Sequence, residues 1–138
     1  MPETSLAVEH LFTITAATET AGLLKGGPHG TRVVVGVTGG TFEGQRLKGT
    51  VKGPGGDWAT LRPDGCGRLN VRLLLETDDG ALILMQYTGV FAQGASYIRS
   101  APLFETGDER YAWLNDVLSV GLGSVGKDDV TYDVYQVL

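Results

Sequence analysis

The sequence predicts an all-β, mainly antiparallel fold: about eight strands closing into a small β-barrel, with one short α-helix near 109–118. Three observations carry that prediction. Alternating or β-branched runs recur roughly every eight to twelve residues, separated by turn residues. The chain holds 21 glycines among 138 residues, about twice the usual ~7% share, and they fall at the breaks between runs. Strands and helices do not alternate along the chain, which argues against a parallel sheet. A chain of this length fits one core, so residues 1–138 read as one β-barrel domain.

The first run covers residues 6–14. Leu6, Val8, Phe12 and Ile14 share one face by the strand period of two, and His10 falls on it with them. Residues 31–38 set Val33, Val35 and Val37 against Arg32, Val34 and Gly36. Gly39-Gly40 interrupts this run, and residues 45–52 resume with Leu47 and Val51 opposite Arg46, Lys48 and Lys52. Gly53-Pro54-Gly55-Gly56 is a turn or an irregular loop. Residues 68–77 and 81–89 flank Asp78-Asp79-Gly80, and an Asp-Gly pair between two β runs is a strong hairpin signal. Thr106-Gly107-Asp108-Glu109 reads as a capping box, with Tyr111, Leu114 and Leu118 at helical spacing behind it. Residues 130–138 close the series, with Val130, Tyr132 and Val134 alternating against Thr131, Asp133 and Tyr135. Barrel closure gives the glycines a purpose, since bent and strongly twisted strands need bulges and corners.

Composition excludes several classes of function. One cysteine, Cys66, permits no disulfide framework and too few thiols for a cysteine zinc site. Two isolated histidines, His10 and His29, do not suggest a metal centre, and none is expected. With 11 basic and 16 acidic residues the net charge is -5 and the pI is about 4.9, so no nucleic-acid partner is expected. No apolar run reaches the ~20 residues of a membrane span, and the opening residues lack the pattern of a secretory signal. These features lead to an expectation of a cytoplasmic protein without membrane contact. Nucleophile-elbow, zincin and P-loop motifs are absent, and no cofactor is expected.

Three stretches concentrate chemistry. Residues 56–65 pack Asp57, Trp58, Arg62 and Asp64 together. Beside a tryptophan that floors a pocket, Asp57 would be a proton-transfer base with a pKa raised by desolvation; it serves equally well as the cap of its turn. Asp64 reads as a turn residue in Pro-Asp-Gly. In the run 68–77, Arg68, Asn70, Arg72 and Glu76 form a polar face that either looks at water or lines a ligand-holding lumen. Tyr87 and Gln86 on the paired run face opposite ways, so only one of them joins Arg72. Near the helix start, Glu105 is either a buried acid at the barrel mouth or a capping and salt-bridging residue. Trp113 reads as packing.

These same residues resemble the family of proteins of unknown function numbered 3237. The likeness rests on Gly40-Thr41-Phe42-Glu43-Gly44 with Arg46 and Gly49, and on Gly55-Gly56-Asp57-Trp58 and Arg62-Pro63-Asp64-Gly65. It continues through Arg72, Asp78-Asp79-Gly80-Ala81, Gly89, Phe104-Glu105-Thr106-Gly107 and Tyr111-Ala112-Trp113-Leu114-Asn115. Asn70 stands where the family more commonly has aspartate. The resemblance implies a calycin-like or allene-oxide-cyclase-like barrel that pairs as a homodimer.

The functional expectation is a cofactor-independent isomerase, cyclase or lyase acting on a small aromatic or carbonyl-bearing metabolite in the lumen. Asp57 or Glu105 would transfer the proton. Arg72 or Arg62 would hold an anionic or carbonyl oxygen, with Trp58, Tyr87 and Phe104 lining the pocket. Two alternatives stand beside it: a non-catalytic lipocalin-type binder, and a solid-cored structural or dimerisation domain. An open lumen in which Asp57, Arg72 and Glu105 converge favours the enzyme, an open lumen lined only by apolar groups favours the binder, and a filled interior leaves the structural reading.

Overall fold

The computed structural model describes residues 2–138. Its strands are β1 (Val8–Gly27), β2 (Gly30–Glu43), β3 (Lys48–Val51), β4 (Gly56–Leu61), β5 (Gly67–Thr77), β6 (Leu82–Ala92), β7 (Tyr97–Ser100), β8 (Leu103–Glu105), β9 (Ser119–Val125) and β10 (Asp129–Val137). A 3-10 helix, Glu109–Asp116, joins β8 to β9. From β5 the hydrogen-bonded order runs β4, β2, β1, β10, β9, β7 and β6, and the β5–β6 pairing closes the ring. Eight antiparallel strands therefore form a barrel with no free edge around its girth. Two short strands complete it: β3 bridges β2 and β5, and β8 lies along β6.

Alternation decides what faces inward. On β5, Leu69, Val71, Leu73 and Leu75 are buried while Arg68, Asn70 and Arg72 are exposed. That strand's polar face looks at water, because an arginine turned into an apolar interior without a partner carries a large desolvation penalty. Facing residues of β6 (Ile83, Met85, Tyr87) and β10 (Tyr132, Val134) complete the inner wall.

Two departures from strict alternation matter. Pairing of β1 with β10 slips between His10 and Phe12, so Leu11 and Phe12 are both buried. This β-bulge turns His10 out of the apolar face on which its spacing had put it. Its Nε2 sits 3.0 Å from the Thr13 hydroxyl and 3.4 Å from the Asp133 carboxylate. At Gly39-Gly40 the chain does not break; β2 runs on to Glu43. Glycine is required there because a Cβ on Gly40 would collide with the Thr15 carbonyl oxygen of β1.

The helix also differs from its expected form. It is a 3-10 helix, capped by Asp108, whose side chain accepts from the Arg110 backbone N–H. Thr106 is not the cap: its hydroxyl donates to the Leu82 carbonyl and accepts from the Asp108 N–H. Tyr111, Leu114 and Val117 recur every three residues and all are buried, which suits three residues per turn better than 3.6. Leu118 lies beyond the helix and is exposed.

The interior has two unlike halves. Toward β8 and the helix it is packed solid by Phe12, Phe42, Phe104, Met85 and Leu114, with Phe12 edge-on to Phe104 at 5.8 Å. Toward the β9–β10 turn it is open. No helix of the described residues is long and apolar enough to cross a membrane.

Candidate functional site

The open half holds a cavity of about 290 Å³, at the lower end of the ~300–1,000 Å³ typical of small-molecule pockets. Its walls are mostly apolar, with Val35 and Val37 from β2, Leu69, Val71 and Leu73 from β5, and Ile98 from β7. Thr18 and Thr20 of β1 and Val125, Gly126, Lys127, Asp129 and Val130 around the β9–β10 turn form the rim. Lys127 is the single cation among these lining residues, and it is exposed.

Three polar side chains reach into this apolar space: Asp57, Tyr87 and Tyr132. Register puts them together. Val35 pairs with Asp57, Asp57 with Val71, and Val71 with Tyr87, so four adjacent strands present these residues at one level of the barrel. Tyr132 comes from β10, and its ring meets that of Tyr87 edge-on, with centroids 5.3 Å apart. Gly123 opposite Tyr132 makes room for that ring, since a side chain there would press on Tyr132 and Ile98.

Asp57 is inward because β4 alternates it and Ala59 against the exposed Trp58. One carboxylate oxygen accepts the Asn70 backbone N–H at 3.0 Å. Burial pushes the Asp57 carboxyl above the ordinary aspartate range, and the Asn70 N–H opposes part of that rise. Burial holds the Tyr87 hydroxyl well above the usual tyrosine value, with the Tyr132 hydroxyl and the Asp57 charge adding to the effect. Tyr132 is pushed up to about 12, again chiefly by burial. Both tyrosines are therefore neutral hydrogen-bond donors at physiological pH. The arrangement offers one acid/base group and two hydroxyl donors inside a low-dielectric pocket.

The other sequence-predicted residues lie elsewhere. Trp58 is on the outer surface, 44% exposed, with its carbonyl accepting from Arg32 Nη1 at 2.9 Å. Arg62 is exposed in a turn, where it pairs with Asp64 at 3.0 Å; Asp64 also accepts the Cys66 N–H, the turn role its sequence suggested. Arg72 is exposed on the outside of β5, opposite Gln86. Glu105 is exposed on β8, and Phe104 belongs to the solid half. Thus the structure brings together Asp57 and Tyr87 and separates both from Glu105, Arg62 and Arg72. Tyr132 is the partner missed in the sequence. Its signal was its place beside Val134 on the inward face of the last strand.

A second polar cluster lies outside the barrel. Asp79, in the β5–β6 turn, accepts from Thr77 and from the Tyr111 hydroxyl at 2.9 and 3.0 Å, and pairs with Arg110 at 3.2 Å. These bonds tie the 3-10 helix to the hairpin and lower the Asp79 pKa, the Thr77 hydroxyl contributing most. Among the described residues, no three His, Cys, Asp or Glu side chains gather as a metal site would need.

Comparison with known proteins adds context to this geometry. A family model described as protein of unknown function, DUF3237, matches residues 6–137. A UPF0311 protein of Rhodopseudomonas palustris, RPA1785, is 32% identical, the alignment taking in 97% of this chain and 98% of that one. Its crystal structure superposes with a TM-score of 0.91 at 30% identity, over 99% of this chain and 100% of that chain. A hydroalkoxylation enzyme of Penicillium herquei, phnH, is 38% identical over 85 residues, which is 62% of this chain and 52% of that protein. The crystal structure of an enzyme from Penicillium herquei gives a TM-score of 0.79 at 28% identity, covering 100% of this chain and 98% of that one.

Proposed function

We propose, starting from the fact that this chain belongs to the DUF3237 family, that its half-open barrel is the active site of a cofactor-independent isomerase or cyclase with Asp57 as the proton-transfer group. The substrate is a small, largely apolar metabolite carrying an aromatic ring or a carbonyl group. The observation that carries the reading is the Asp57 carboxylate, set among the apolar walls of the cavity with its pKa raised by burial. A general acid/base works best when its pKa approaches the working pH, and desolvation moves an aspartate in that direction. Confinement supplies the second factor, since holding two parts of one molecule in contact removes much of the entropic barrier to their reaction. A relative named for hydroalkoxylation, the addition of an O–H across a carbon–carbon double bond, fits proton-transfer chemistry of this kind.

The apolar lining also supports a second reading, a binder that sequesters its ligand without changing it. One experiment separates the two. A metabolite library is screened by thermal shift, and each ligand is then incubated with protein and followed by mass spectrometry and NMR. Catalysis predicts that the wild type converts a stabilising ligand to an isomer. Asp57→Asn should bind the same ligand and turn it over at least about 100-fold more slowly, the lower end of what a positioned acid/base contributes. Undiminished turnover in Asp57→Asn overturns the assignment of Asp57, and binding without conversion by the wild type favours the binder.

We propose further that two copies associate through the outer face of β9, where Leu118, Val120 and Leu122 stand exposed in alternation.

A further inference from the structure

The cavity brings two tyrosines to the acid, and the role of those hydroxyls is not fixed by proton transfer alone. Both hydroxyls belong to residues that line the cavity, and the two lie close enough for one to donate to the other. A bond within the pair uses one of its two protons, so a donor remains for the cavity, and an oxygen entering beside the pair can draw both. Apart from the rim, the surrounding wall of valine, leucine and isoleucine has no other donor to offer.

We infer that Tyr87 and Tyr132 together hold the oxygen on which negative charge builds during the reaction, which makes the substrate class an α,β-unsaturated or otherwise enolisable carbonyl compound. The inference rests on the acid/base reading of Asp57 and adds to it an electron-accepting oxygen and a position for it. Two neutral donors in a low-dielectric site favour an oxyanion over a carbonyl oxygen, so they stabilise the charge-separated state more than the bound substrate. For a substrate bearing both a hydroxyl and a conjugated ketone, the steps balance without any co-reactant. The hydroxyl oxygen bonds to the β-carbon as its proton passes to the Asp57 carboxylate. The alkene electron pair moves into the conjugated system and leaves an enolate oxygen between the two tyrosine hydroxyls. The proton on Asp57 then passes to the α-carbon, the carbonyl re-forms, and the product is a cyclic ether isomeric with the substrate.

Substituted phenols of similar size and increasing acidity, from 4-methylphenol to 4-nitrophenol, probe such a site. Their oxygen carries progressively more negative charge while their shape changes little. Affinity of the wild type should tighten with phenol acidity, and bound 4-nitrophenol should show the absorbance of its phenolate. Tyr87→Phe and Tyr132→Phe should each weaken 4-nitrophenol by about 10- to 100-fold, the worth of one hydrogen bond to a charged group, and leave toluene binding unchanged. Asp57→Asn should strengthen phenolate binding by removing a like charge. Lys127→Gln should leave the dependence on acidity intact, since that side chain sits at the exposed rim. Affinities that ignore acidity in the wild type, failure of every phenol to bind at millimolar concentration, or a dependence that vanishes only in Lys127→Gln would each overturn the inference. Those readouts concern binding alone. Loss of the oxyanion role would therefore leave the Asp57 assignment standing, and failure of the Asp57 turnover test would leave the phenol series to be read by itself.

Discussion

Asp57 shows how one residue couples chemistry to stability. Its carboxyl is raised by burial, so the folded state holds this proton more tightly than the unfolded chain does. Stability contributed by the protonated form is fully present below the ordinary aspartate pKa of ~3.9 and is lost as pH rises through the folded value. At neutral pH the ionised Asp57 therefore costs stability, the usual trade at a functional site. Asp57→Asn keeps an oxygen for the Asn70 N–H and carries no charge to desolvate. Thermal melts should show the variant more stable than the wild type at pH 7, with the gap closing below about pH 4. A variant that is less stable at pH 7 would mean that Asp57 is held by interactions favouring its charge. At this scale the sequence is informative about Asp57 and Tyr87 and silent about Tyr132. The Asp-Trp pair marked the position, yet alternation alone gives no inside or outside until the sheet closes. Trp58, Arg62 and Arg72 looked like site residues because they are chemically rich; the barrel wall puts all three outside.

Whole elements were legible where turn chemistry and alternation agreed. The β5–β6 hairpin formed on Asp78-Asp79-Gly80 as expected, with Gly80 in the left-handed region at φ 91°. What a period of two could not reveal was an extra residue. The bulge at Leu11 moves His10 outward, and no local signal in residues 6–14 announces it. The helix is legible in the sequence and its winding is not, because Leu118 fits a 3.6 spacing after Tyr111 and Leu114, whereas the buried series Tyr111, Leu114 and Val117 has a period of three. Leu118, directly before β9, continues the outward series of Val120 and Leu122. Three consecutive outward positions exposing large aliphatic groups form a patch of the kind that interfaces use, whereas single ones are ordinary. The protein should sediment as a dimer at micromolar concentration, and Leu122→Glu should shift it to monomer while its melting temperature, once monomeric, stays close to that of a monomeric wild type at high dilution. A wild type that is monomeric throughout would dispose of the β9 interface.

On the scale of the molecule, the division of the barrel into a packed half and an open half is the feature that turns a fold into a site. The sequence predicted the barrel and left open whether it was solid, because Leu69 and Val71 at the cavity read no differently from Leu75 and Ile83 in the packed half. Volume decides, and volume is a sum over eight strands. Opposite effects should follow from changing size at the two ends. Phe12 is fully buried against Phe42 and Phe104; Phe12→Ala should cost about 3–5 kcal/mol in chemical denaturation, the range for truncating a buried phenylalanine. Val35 lies level with Asp57 and borders the empty space. Enlarging it adds apolar contact without displacing packed neighbours, whereas overpacking a filled core costs about 1–3 kcal/mol. Val35→Phe should therefore leave stability near that of the wild type and weaken any cavity ligand at least tenfold, both measurable by denaturation and calorimetry on one preparation. If Val35→Phe proves as destabilising as Phe12→Ala, the half around Asp57 is packed like the half around Phe12, and a ligand would have to bind on the outside of the barrel.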